Sequence, residues 1–244
     1  MPKNIQTLIQ EWLDAQVQHF NQEIAKRKAE YLRKRWAWSE KAVSDYNRRL
    51  DELSAIHASL LTELSAGRAH GDALLNLANI VFNEAGTSSK NAKLAVAYAW
   101  LNRTHGAMRE PRSAAEISHY IPLLARWNGL NDTQRMTFLP NFVLCLSAAR
   151  QRLGDTAPAK NDPTRGATHW VSPMALDSFK NQDGRYSRTV GKATNRAFPT
   201  WARANSDPAV EKMKKLSQVK PTYAELTVAG VDQTEFLFYT GVNY

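Results

Sequence analysis

Leu74-Leu75-Asn76-Leu77-Ala78-Asn79-Ile80-Val81-Phe82-Asn83-Glu84-Ala85-Gly86 is the stretch on which the reading of this chain turns. Leu74, Leu75, Leu77, Ala78, Val81 and Phe82 recur at three- and four-residue spacing, which predicts a helix with one buried face. Glu84 follows where that helix should stop, and Gly86, Thr87, Ser88 and Ser89 supply a turn. A carboxyl beside a wall of Val, Phe and Trp is expected to be partly desolvated, which disfavours its charged form and suits a general acid. The plain alternative is a solvated or salt-bridged Glu closing an amphipathic helix, since structural groups also sit in such places.

Upstream the character changes. From Lys3 to Ala66 there is no Gly or Pro. Leu8, Trp12, Ala15, Ile24 and Tyr31, then Val43, Tyr46, Leu50, Leu53, Ile56, Leu60 and Leu64, mark helical stripes, so one or two long helices are expected. Lys26-Arg27-Lys28 and Arg33-Lys34-Arg35 before Trp36 and Trp38 interleave basic and aromatic residues, a pattern that suits nucleic acid, a membrane surface or a solvated helix face. Gly67 and Gly71 read as a hinge, which divides the chain into a helical region 1–68 and a second domain 69–244.

Downstream, Ser113 and Glu116 have capping-box spacing, and residues 133–153 read as an amphipathic helix that Pro140 could interrupt and Gly154 ends. From Asp155 to Trp170 the Pro, Gly and Asn density predicts a surface loop. The segments 224–228 and 234–239 have strand composition and read as a short hairpin. The fold class expected is therefore mainly α, an α+β arrangement with a minor β hairpin.

Composition narrows the partners. The 32 Lys and Arg against 23 Asp and Glu leave a net charge of +9, so a polyanion is expected, either nucleic acid or the anionic bacterial wall. The basic residues are scattered among acids and no zinc-finger or RNA-binding signature appears, which favours the wall over specific nucleic acid. Cys145, the single cysteine, lies in the apolar run 142–146 and reads as a buried thiol; no internal disulfide is possible. The six histidines show no H-E-x-x-H or short paired spacing, and no phosphate loop or G-x-S-x-G elbow is present, so no metal and no cofactor are expected. Residues 1–30 lack the apolar core of a signal peptide and no stretch is long enough to span a bilayer. A substrate outside the cytoplasm would then require delivery by other machinery, as for a phage lysin or an injected antibacterial effector, and a toxin would need a cognate immunity partner.

Three segments together resemble the spore-cortex-lytic, or cell-wall hydrolase, family. Asn83-Glu84-Ala85-Gly86 resembles the signature that ends its first helix, and Leu94-Ala95-Val96-Ala97-Tyr98-Ala99-Trp100-Leu101-Asn102-Arg103 is similar to the helix that follows. Asp162-Pro163-Thr164-Arg165-Gly166-Ala167-Thr168-His169-Trp170 resembles its D-P-T-x-G-A segment, with Trp170 in place of the usual Phe or Tyr. Phe236-Leu237-Phe238-Tyr239 after Gly230-Val231-Asp232 is a looser match to the closing turn and aromatic strand. The chain departs from the family at Gly86, where an Arg is usual, and in lacking a His before its last aromatics.

The resemblance implies a lysozyme-like, peptidoglycan-cleaving domain behind the long N-terminal helices. Glu84 would be its general acid and base, acting between N-acetylmuramic acid and N-acetylglucosamine. As a lytic transglycosylase it would let the muramic 6-hydroxyl attack and leave a 1,6-anhydro product. As a muramidase it would use water activated by a second acid, Asp162 or less readily Glu110 or Glu116. Thr164, Thr168, His169 and Trp170 are candidates to hold the sugar, Asp162 is a further candidate that reads equally well as a structural Asx turn, and Tyr239 is a candidate to orient Glu84. Asn102 and Arg103 read first as structural. The alternative from another class is a non-catalytic basic module that binds wall or nucleic acid, or a virion structural protein.

Overall fold

The computed structural model describes residues 5–34, 37–104, 121–172, 224–233 and 235–241. It is mainly helical with one small antiparallel sheet, the fold class expected from the sequence. The chain divides into two compact units, one formed by Met1–Ala69 with Ile121–Val143 and the other by His70–Tyr120 with Leu144–Tyr244. Residues 121–143, assigned by sequence to the second domain, thus group with the N-terminal helices.

In the first unit, helices α1 (Ile5–Lys34) and α2 (Ala37–Ala66) pack against each other. The buried stripe of α1 is Ile9, Trp12, Leu13, Phe20 and Ile24, so its true seam runs one position away from Leu8, and Ala15 faces solvent. On α2, Leu53 and Leu60 are buried as the periodicity predicts. The short α5 (Leu123–Asn128) supplies Trp127, which meets Trp12 edge-on at 5.6 Å between ring centroids. The Trp12 indole donates to Asp132 at 2.6 Å. Ile121–Val143 is held to the N-terminal helices by this aromatic packing, a non-local preference that periodicity within 121–143 cannot express.

In the second unit, α3 (Asp72–Ala85) includes Glu84 in its last turn, and α4 (Lys90–Arg103) follows after a tight turn. Gly86 closes α3 in a helical conformation, and a Cβ there would come within 2.5 Å of the Phe82 carbonyl oxygen. That close approach accounts for glycine at the end of α3. Ala92, Ala95, Val96 and Ala99 form a small-residue face on α4 that packs with Ala167, Val228, Phe236 and Phe238 in one apolar cluster. Helix α6 (Asp132–Leu153) runs through Pro140 without a break. Pro140 is exposed, so the carbonyl it leaves without an amide partner can turn to water, and the expected interruption does not occur. Gly154 follows its end, as anticipated.

The segment expected to be a plain surface loop carries more structure. It holds α7 (Pro158–Asn161) and leads into strand β1 (His169–Val171). With β2 (Ala224–Leu226) and β3 (Leu237–Thr240), β1 makes a three-stranded antiparallel sheet in the order β1-β3-β2. The β2–β3 pair is the expected hairpin; β1 escaped notice because three residues carry no periodicity and the strand exists through its partner. The capping-box pair Ser113 and Glu116, the candidate acid Glu110 and the Trp36 and Trp38 side chains lie outside what the structure describes.

Candidate active site

Glu84 sits at the margin of the buried stripe of α3, just past Ile80 and Val81. Its side chain is exposed, which corrects the expectation of a carboxyl partly stripped of water by its own fold. The aromatic neighbour is nevertheless there: Trp170 on β1 donates its indole N–H to Glu84 Oε2 at 3.1 Å. Trp170 is half-buried, packs on the apolar cluster, and lies 6.2 Å from the Trp100 ring of α4 at 55°. The first and second sequence motifs, 86 residues apart at this bond, therefore converge on one carboxylate.

The turn behind Glu84 is fixed from two sides. Ser89 caps α4 by accepting from the Ala92 amide at 3.2 Å, and Glu235 receives both the Ser89 amide and, at 2.8 Å, its hydroxyl. Lys93 is fully buried, and its ammonium donates to the Ser88 carbonyl. Burial holds the Lys93 pKa below its ordinary value, with Cys145 and Glu235 acting in the opposite direction. The Cys145 thiol is buried and free, and desolvation pushes its pKa up to about 12. Sequence reading passed over Lys93 and Glu235. Ser89 was the visible signal, a capping residue one step ahead of a helix.

Asp162 is occupied in holding its own loop. One carboxylate oxygen accepts from the Thr164 amide at 2.7 Å and the Thr164 hydroxyl at 2.6 Å; the other accepts from the Gly166 amide and the Asn102 side chain, each at 2.7 Å. This is the Asx-turn reading of the segment, extended by a tie to α4. Asn102 also donates to the Ala167 carbonyl at 3.1 Å, so its structural assignment matches its surroundings. One helical turn earlier, Tyr98 donates to Asp155, whose other oxygen takes the Ala157 amide and the Asn161 side chain. Those bonds, with Tyr98 first, hold the Asp155 carboxyl below its ordinary pKa, while burial and the same bond raise that of Tyr98. The loop from Asp155 to Ala167 is thereby fastened to α4 at both ends before it becomes β1.

Several expected sugar contacts are corrected by burial. Thr164, His169 and Tyr239 lie beneath the surface, where they support the site instead of presenting groups to a ligand. Thr168 is half-buried; its amide donates to the Tyr239 carbonyl at 3.0 Å and its hydroxyl lies 2.9 Å from His169 Nδ1. Tyr239 pairs with His169, and Trp170 with Phe238. Side chains alternate across a sheet, so Tyr239 and His169 project to the face opposite Trp170 and Phe238. The Trp170 indole, which the sequence offered as a sugar contact, addresses the Glu84 carboxylate itself.

Among the described residues no group of three or more His, Cys, Asp or Glu side chains could hold a metal ion, and no helix is long and apolar enough to cross a membrane. Compared with known proteins, the chain matches no family model, no curated protein and no solved structure.

Proposed function

We propose that this protein cleaves the glycan strand of peptidoglycan between N-acetylmuramic acid and N-acetylglucosamine, with Glu84 as general acid and base. The observation that carries this reading is the meeting of an exposed Glu84 carboxylate with the Trp170 indole, beside Trp100. An accessible acid bonded to a half-buried indole is suited to a pyranose, whose apolar face packs on an aromatic ring while its glycosidic oxygen meets the acid. A strand laid over Glu84 excludes water, and that desolvation favours the protonated carboxyl needed to donate to the leaving oxygen.

In the first step the Glu84 proton passes to the glycosidic oxygen as the bond to the anomeric carbon breaks. In the second, the carboxylate takes the proton of the attacking hydroxyl. Asp162 has four donors on its two oxygens, which argues against its activating a water. The single-carboxylate route, attack by the muramic 6-hydroxyl to give an anhydro product, is the better supported outcome. The net positive charge suits attachment to an anionic wall as the place of action. Release of label from dye-coupled peptidoglycan by wild type, lost in Glu84→Gln, is the expected result. Equal release by both proteins refutes Glu84 as the acid, and retention of wall binding without release by wild type identifies a binding module.

A further inference from the structure

A glutamate at a helix end has several side-chain rotamers open to it, and one that moves a proton must hold a particular oxygen towards the substrate. We propose that Trp170 is a positioning residue for Glu84, its indole donor holding Oε2 and with it the rotamer from which the acid meets the substrate. This rests on the glycan-cleaving reading of the site. The indole Nε1–H is a donor with no acceptor capacity, and it addresses Oε2 at 3.1 Å.

Trp170 can serve in this way because it is itself held. Its backbone is in register with Phe238 across β1 and β3, and its ring lies against the buried Trp100 and the apolar cluster. The strand is fixed in turn by the Asn102 bonds to Asp162 and to the Ala167 carbonyl, three residues before Trp170. Stacking on a sugar uses only a ring face, and this residue in addition commits its polar edge to the protein's own acid. Phenylalanine would supply the face and lack the donor.

The test uses the full chain with its seven tryptophans labelled at the indole nitrogen. The resonance missing from Trp170→Phe is assigned to Trp170, and it should move upfield in Glu84→Ala, which removes the acceptor. In kinetics on purified peptidoglycan, Trp170→Phe should lower kcat about 10- to 100-fold with KM changed little, the signature of misplaced chemistry and not of lost binding. If none of the seven indole resonances moves in Glu84→Ala, the proposal is overturned even where Trp170→Phe fails to fold, and so it is by an unchanged kcat in a folded Trp170→Phe. If wild type itself releases no glycan fragments, the cleavage reading falls and takes the catalytic role with it, an outcome separate from either of those.

Discussion

Asn102 on α4 donates to Asp162 Oδ2 at 2.7 Å and, with the same side-chain nitrogen, to the Ala167 carbonyl at 3.1 Å, so one amide binds the loop at both ends of its turn. Asp162 gathers three further donors from that turn. Replacing it with Ala strands four donors in a half-buried setting, and a loss of about 2–3 kcal/mol in urea unfolding is expected. A loss under about 0.5 kcal/mol would show that water replaces the carboxylate freely.

Gly86 stands where a Cβ would meet the Phe82 carbonyl oxygen at 2.5 Å and the Phe82 ring at 3.3 Å. Gly86→Ala is therefore expected to destabilise by about 1–3 kcal/mol through overpacking, although alanine is the better helix former. Because Glu84 is two residues away, its activity should fall by more than the folded fraction does. Thermal melting and wall lysis measured on the same samples separate the two effects.

Arg165 has a backbone φ of 53°, in the left-handed region, at the turn that wraps Asp162. Non-glycine residues pay roughly 1–2 kcal/mol there, partly offset in a glycine variant by the added freedom of the unfolded chain. Arg165→Gly should accordingly be neutral to stabilising, up to about 1 kcal/mol, in chemical denaturation. A clear destabilisation would mean the guanidinium carries an interaction worth more than the backbone strain.

Cys145 should ignore thiol reagents in the native protein and react only on unfolding, as its burial requires. Its folded pKa of about 12 exceeds the ordinary 9.0, so the unfolded chain loses the thiol proton first as pH rises. The stabilisation from keeping the thiol neutral is whole below about pH 9 and is lost progressively towards pH 12. The stability advantage of wild type over Cys145→Ala should thus shrink between about pH 9 and pH 12, with the other titrating groups common to both proteins. A constant difference would contradict the burial of the thiol.

What the sequence disclosed follows physical range. Local periodicity exposed α3 and the stripe of α2, because three- and four-residue spacing is a property of the helix itself, whereas α4, buried on most sides, was read through its likeness to a family helix. The glycine after α6 was legible for the same reason. Strand β1 was not, since His169–Val171 becomes a strand only through pairing with residues nearly seventy positions away. Glu84 could be singled out from its place in a motif, but its exposure could not, because burial at the margin of a helical stripe depends on what other segments cover it. Asp162 was readable as an Asx turn from Asp-Pro-Thr-x-Gly, while its tie to Asn102 needed the fold. The face that Tyr239 takes on β3 is set by register, which pairing across the sheet decides, and a shift of one position would move it to the other side.

The most direct measurement is mass spectrometry of the soluble fragments released from purified peptidoglycan by wild type and by Glu84→Gln. Glutamine keeps the size and polarity of Glu84 and removes the transferable proton, so anhydro-muropeptides are expected from wild type and a loss of orders of magnitude in the variant. Reducing-end muropeptides would contradict the single-carboxylate route and require a second acid. The absence of fragments from wild type, or equal yields from both proteins, would contradict the assignment of Glu84 as the acid that cleaves the strand.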